Sequence, residues 1–165
     1  MFHIADTLQL KAYESMLAIQ RKLAAANPAV TQFQDDLATS YHIIGPLLRA
    51  TGKPAEAVTA YKSALAIERK LADVNPAVTG FQQSLAETYD DLGILLRETE
   101  RPAEALEAHE SALAIRQRLV QKHPDWPDAA SALGVTLSNM ALIDLAAKRF
   151  EAARVHLRQA VASQR

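Results

Sequence analysis

Tyr13-Glu-Ser-Met-Leu-Ala-Ile-Gln-Arg-Lys-Leu-Ala24 returns 48 residues later as Tyr61-Lys-Ser-Ala-Leu-Ala-Ile-Glu-Arg-Lys-Leu-Ala72, and again as His109-Glu-Ser-Ala-Leu-Ala-Ile-Arg-Gln-Arg-Leu-Val120. Asn27-Pro28-Ala29-Val30-Thr31 keeps the same step. It recurs at Asn75 to Thr79, and then as His123-Pro124. Residues 13–60 and 61–108 agree at roughly 29 of 48 positions without a gap. Residues 109–156 match the second copy at only about 11 positions but hold the register. Self-similarity at a fixed period of tens of residues marks a stacked array. The fold is therefore decided by what one period contains.

Each period holds two helical stretches. In the first, Phe33, Leu37, Tyr41, Ile44 and Leu48 fall at spacings of three and four, which is one face of a helix. Its copies are Phe81, Leu85, Tyr89, Leu92 and Leu96, then Ala129, Leu133, Leu137 and Met140, with Asp144 where leucine is expected. In the second, Ala57, Tyr61, Ala64 and Leu65 share a face that Ile67 and Leu71 extend. Pro54 and Pro102 suit a first helical turn, where a missing N–H costs nothing. Asn27 and Asn75 read as N-caps, Asp6 with Gln9 as a capping box, and Thr51-Gly52 as a left-handed helix stop. Seven helices are predicted, at about 6–25, 28–51, 54–74, 76–99, 102–121, 127–147 and 150–164. Connections this short force successive helices antiparallel. No single pair buries its apolar stripe alone, so the fold class is all-α, a solenoid of helix pairs. The expected domain is single, 1–165: a half-repeat at 6–25 and repeats at 28–74, 76–121 and 127–164.

Composition agrees and excludes much else. The 165 residues are 49 % hydrophobic, and the apolar share is dominated by 32 Ala and 21 Leu against 16 Val plus Ile. These are helix formers rather than strand formers. With no cysteine there is no disulfide framework and no thiolate zinc site. A net charge of −1 lacks the basic surplus of a general nucleic-acid binder. No uninterrupted run of about 18 apolar residues offers a membrane span. Met1 to Leu10 carries Asp6 and no basic segment, unlike a signal peptide. A cytoplasmic location is expected.

The frame Tyr41, Ile44-Gly45, Leu48, Ala57, Tyr61, Ala64-Leu65, repeated as Tyr89, Leu92-Gly93, Leu96, Ala105, His109, Ala112-Leu113, resembles the tetratricopeptide repeat. Glycine and alanine at these places let two helices approach closely. The resemblance implies a right-handed superhelix whose first (A) helices line a concave groove. The 48-residue unit is longer than the usual 34. With its Ala-Leu-Ala-Ile-x-x-x-Leu second (B) helix it resembles the kinesin-light-chain-like repeats of bacterial multidomain signalling proteins. The third copy departs from the frame, with Ala141 for glycine and Asp144 for a large apolar residue.

Reactive groups do not converge. His3, His42, His109, His123 and His156 form no metal-binding pair. His109 stands at a packing position and reads as a half-buried filler. Asp35-Asp36 and Asp90-Asp91 are neighbours that point about 100° apart on a helix and read as solvated. No glycine-rich phosphate loop or nucleophile elbow is present. No enzyme activity, metal or cofactor is expected. Arg21-Lys22, Arg69-Lys70, Arg116 and Arg118 recur with the period and read as charges complementing helix C-termini.

The resemblance places a protein or peptide partner in the groove. Residues off the packing face of the A helices are the candidates: Thr39, His42, Pro46 and Arg49; Glu87, Asp90, Ile94 and Arg97; Val135, Ser138, Leu142 and Leu145. The family's carboxylate clamp uses Lys and Asn at places that here read His42, Pro46, Asp91, Val135 and Asn139. A C-terminal Glu-Glu-Val-Asp-like tail is thus not the expected ligand, and a basic and hydrophobic segment is. Pro46 is expected to bend its helix, and Trp126 to staple the start of the third A helix. The chain opens on a B-type helix and stops after one, so Ile4, Leu8 and Leu10 are expected to lie open. Self-assembly through uncapped ends, or service as a regulatory segment of a larger signalling enzyme, are the alternatives to a binding scaffold.

Overall fold

The structure, a computed structural model, describes residues 4–163, with side chains from Leu8 onward. Seven helices and no strand occur among the described residues: α1 (Ile4–Ala26), α2 (Thr31–Ala50), α3 (Pro54–Val74), α4 (Thr79–Glu98), α5 (Pro102–Lys122), α6 (Pro127–Ala146) and α7 (Phe150–Ser163). The expected count and order hold. The chain divides into two compact units, Met1–Thr88 and Tyr89–Arg165, with the boundary inside α4. In the first, α2 packs against α1 and α3; in the second, α6 packs against α5 and α7.

The packing follows the sequence frame. Gly45, Ala57, Tyr61 and Ala64 are buried in the first unit, and Gly93, Ala105 and Ala112 in the second, while Tyr41 and Tyr89 are half-buried. The close approach is literal. A Cβ on Gly45 would lie 2.5 Å from Cζ of Tyr61, and one on Gly93 would lie 2.6 Å from Nε2 of His109. Only glycine leaves room for the ring from the facing helix.

The helix starts differ from those expected. α2 and α4 begin at Thr31 and Thr79, not at Pro28 and Pro76. Asn27 and Asn75 do not cap them. Their side-chain amides donate backward to the carbonyls of Leu23 and Leu71, at 3.0 and 2.9 Å, and so close the preceding helices. Asx side chains satisfy either end of a helix, and the proline that follows ends one as readily as it begins one. Asp6 of the expected capping box lies outside the described side chains, as does Ile4. Leu8 is exposed as expected, but Leu10 is buried.

The A-to-B turn repeats with the register. Gly52, Glu100 and Lys148 all hold positive φ, at 77°, 60° and 57°. The residue after each donates its N–H back to Leu48, Leu96 or Asp144, at 2.8, 2.9 and 2.8 Å. This is the left-handed stop expected at Gly52, now used three times. Two of the three carry a side chain there, which costs about 1 kcal/mol relative to glycine. Glu100→Gly is therefore expected to raise stability by up to about 1 kcal/mol in chemical denaturation. A loss would show that Glu100 contributes more than its strain.

α2 runs through Pro46 as one helix. Trp126 occupies the N-cap position of α6, half-buried, its ring edge-on to His123 at 5.8 Å. Asp144, which replaces the leucine of earlier copies, is buried. Oδ1 accepts from Nε and Nη2 of Arg149 at 2.8 Å, and Oδ2 lies 2.9 Å from Nδ1 of His156. An ion pair thus closes the third helix pair where leucine closes the others. α6 is long and apolar enough to cross a membrane by length and composition, the one such helix among the described residues. It packs between α5 and α7.

Candidate partner-binding site

The candidates sort by burial. In the first unit Thr39, Pro46 and Arg49 are exposed on α2, and His42 is half-buried with its ring 5.9 Å from that of Tyr61. Glu87 is exposed on α4. In the second unit Arg97 is exposed and Ile94 half-buried on α4. On α6, Val135 and Leu142 are 51 % and 50 % exposed, with Leu145 also open and Ser138 half-buried between them. Ser138 returns its hydroxyl to the carbonyl of Gly134 at 2.8 Å. Positions 135, 138, 142 and 145 fall at three- and four-residue steps, so they form one outward stripe of the helix.

Asp90 does not belong to that surface. It is buried, and both its oxygens are used. Oδ1 lies 2.7 Å from Nδ1 of His109 on α5. Oδ2 accepts from Nη2 of Arg116 at 2.8 Å and from the Thr136 hydroxyl at 2.8 Å. Arg116 also donates to the carbonyl of Ala132 on α6. One carboxylate therefore ties α4, α5 and α6 together. His109 is 0 % exposed rather than a half-buried filler, and Arg116 is buried rather than part of a surface ridge. Of the periodic basic residues, Arg21, Lys22, Arg69, Lys70 and Arg118 do lie on the surface. A buried charge is tolerated when it is paired and hydrogen-bonded, and the Asp90 carboxylate and the Arg116 guanidinium both meet that condition.

An aspartate bonded to a histidine ring nitrogen resembles the orienting half of a catalytic dyad. Here the other nitrogen, Nε2 of His109, is buried without a hydrogen-bond partner and packs on Gly93. A base must reach its proton donor within hydrogen-bond distance. This one meets the backbone of α4 instead, and the pair serves packing.

The same register in the first unit holds different chemistry. His42, Tyr61 and Glu68 stand where Asp90, His109 and Arg116 stand 48 residues later. Glu68 is 3 % exposed; its Oε1 accepts from the Thr88 hydroxyl at 2.9 Å, and its Oε2 has no partner. Burial pushes its carboxyl up to about 7, with Asp35 and Glu87 adding to the rise, while the Thr88 bond and nearby His42 oppose it. Desolvation disfavours the charged form more than one hydrogen bond favours it. No group of three or more His, Cys, Asp or Glu able to hold a metal occurs among the described residues.

Residues 85–125, which run from α4 through α5, match the family model of the tetratricopeptide repeat, and the chain carries that repeat there. The chain is similar in fold to BtubC (BKLC) from P. vanneervenii, with a TM-score of 0.72 and 24 % identity over 94 % of this chain. The chain spans 55 % of that protein's length. Two structures of MamA align over 99 % and 96 % of this chain, at 16 % and 19 % identity, covering 96 % and 91 % of MamA. Their TM-scores are 0.34 and 0.25. No curated protein matches the sequence. Repeat folds of this class generally serve as protein-interaction scaffolds.

Proposed function

We propose that this chain is a non-enzymatic scaffold that holds a protein or peptide segment against the outer faces of its A helices. The observation that carries the reading is the apolar stripe on α6, where Val135 and Leu142 stand about half exposed with Leu145 beyond them. Packing within the helix pair does not use this face, and contiguous exposed apolar area is where recognition concentrates. Taken unit by unit, the exposed carboxylate of Glu87 in the first favours a basic residue in a docked segment and Arg49 adds a polar anchor there, while Arg97 does so in the second. The removal of Asp90 from the surface makes the face less acidic than the sequence suggested. The partner is therefore chiefly hydrophobic. The reading keeps the kinesin-light-chain-like character of the 48-residue unit and a cytoplasmic setting.

Selection of peptides from a random library against the whole chain tests this. Selected peptides are expected to be apolar with isolated basic residues. Leu142→Glu should weaken them tenfold or more, since about 1.5–3 kcal/mol accompanies full burial of a leucine side chain. Unchanged affinity, with helicity intact, would move the binding face off α6.

A further inference from the structure

We infer that the first unit carries a subsite for one arginine of a docked segment, in which Glu68 receives the guanidinium beneath the faces of α2 and α4. The inference rests on the reading that a segment docks on the A-helix faces, and it names a residue that segment brings to the first unit. The argument starts from an unmet acceptor. Glu68 on α3 is 3 % exposed, and the Thr88 hydroxyl serves only its Oε1. Oε2 is buried with no hydrogen-bond partner. A buried carboxylate oxygen left without a donor costs free energy, which a ligand that supplies the donor recovers.

The surroundings of that oxygen are acidic and reach solvent. Asp35 and His42 face the carboxyl from α2 and are half-buried, while Glu87 faces it from α4 and is exposed. Asp35 is itself pushed up, by burial first and then by Asp36. Three carboxyl groups thus oppose one another's ionisation around a single imidazole. One cation placed among them favours the charged form of all three.

The second unit shows which group satisfies a carboxylate at this register. Asp90, His109 and Arg116 stand there where His42, Tyr61 and Glu68 stand in the first, and Nη2 of Arg116 donates to Oδ2 of Asp90 at 2.8 Å. That unit supplies acid and guanidinium together. The first supplies the acid on its B helix and leaves Oε2 open. A guanidinium offers five N–H donors in a planar fork and is more weakly hydrated than an ammonium, so it serves Glu68 and a neighbouring carboxylate at once. Arginine is therefore the occupant rather than lysine. It comes within a peptide segment rather than free, because these surroundings repel an α-carboxylate.

The probe is N-acetyl-arginine methylamide, an arginine capped as it is within a chain. It is added to the whole chain, isotope-labelled at its glutamate carboxyl carbons, and the NMR signal of the Glu68 carboxyl is followed against pH. Alone, that signal should move at about pH 7. A guanidinium favours the ionised form, so the saturating probe should lower the midpoint by about one pH unit, and by linkage should bind roughly tenfold more tightly at about pH 8 than at about pH 5. His42 also gains charge as pH falls, so His42→Gln should keep this dependence. Glu68→Gln should lose it and weaken binding about tenfold at about pH 8. Glu87→Gln, at an exposed position where the fold is not at risk, should weaken binding several-fold. The citrulline derivative, neutral and of the same shape, should not bind, and uncapped arginine should bind less well than the capped form. No saturable response, an unmoved Glu68 midpoint, equal binding of the citrulline derivative, indifference to Glu68→Gln, or tighter binding of uncapped arginine would each overturn the inference. Leu142→Glu should leave the Glu68 response intact. Library peptides indifferent to Leu142→Glu, with that response present, would count against the α6 face alone, and the reverse pair of results against this subsite alone.

Discussion

Asp90→Ala is expected to cost about 3–5 kcal/mol, the range for breaking a buried ion pair from one side. The figure reflects what remains rather than what is removed. Without the carboxylate, Arg116 stays buried with one helix carbonyl as its partner, His109 loses its acceptor, and Thr136 keeps only the carbonyl of Ala132 at 3.3 Å. Every group on that list is desolvated, so none recovers its bond from water. Asp90→Asn keeps an acceptor and loses the charge, and should fall between. The informative variant is the triple replacement Asp90→His, His109→Tyr and Arg116→Glu, which installs the set that His42, Tyr61 and Glu68 form in the first unit. It should recover most of the loss, because that set already fits this helix geometry one period earlier. Denaturant titration of the four proteins measures all of this. A loss below about 1 kcal/mol for Asp90→Ala would mean that water enters and the network is not structural.

The frame of the fold was legible because it rests on repetition and spacing. Helix number, order and the glycine contacts at Gly45 and Gly93 follow from residues that recur 48 positions on, whereas the left-handed stop was legible only at Gly52, because Glu100 and Lys148 take its place in the later copies. The helix starts were less legible. An Asn-Pro pair serves the end of one helix as well as the start of the next, and local sequence does not separate the two. Asp90 was misplaced for a further reason. Helical spacing assigns a face, and position 90 falls at its polar edge, where burial depends on what arrives from neighbouring helices. A signal was nonetheless present. His42 to Asp90, Tyr61 to His109 and Glu68 to Arg116 change together between copies otherwise alike in their B helices. Three changes that exchange acid for base at one register indicate contact, and reading the copies against each other position by position would have found it. The exposure of Val135, Leu142 and Leu145 on α6 follows from helical spacing alone.

Glu68→Gln is expected to reverse part of the pH dependence of stability. The Glu68 carboxyl titrates near 7 in the folded chain, against 4.5 without its surroundings. A carboxyl whose folded pKa is raised binds its proton more tightly when folded. Its contribution is therefore fully present below about pH 4.5, declines from there to about pH 7, and is gone above. A difference of that size corresponds to about 3 kcal/mol. The groups facing it explain why ionisation is resisted: Asp35 on α2 and Glu87 on α4 are both acidic, and His42 with the Thr88 hydroxyl only partly offset them. Glutamine keeps an oxygen for Thr88 and carries no charge to desolvate. Its amide N–H groups must occupy the place of the unpartnered Oε2, at a cost of about 1–3 kcal/mol if no acceptor is met. The variant should thus be no more stable than the parent at pH 5, should gain on it up to about pH 7, and should level off above that. Urea denaturation of both proteins at pH 5, 6, 7 and 8 gives the difference directly, with all other titrating groups cancelling. A difference that stays flat across this range would place the Glu68 proton elsewhere, and one that grows toward low pH would reverse the sign of the argument.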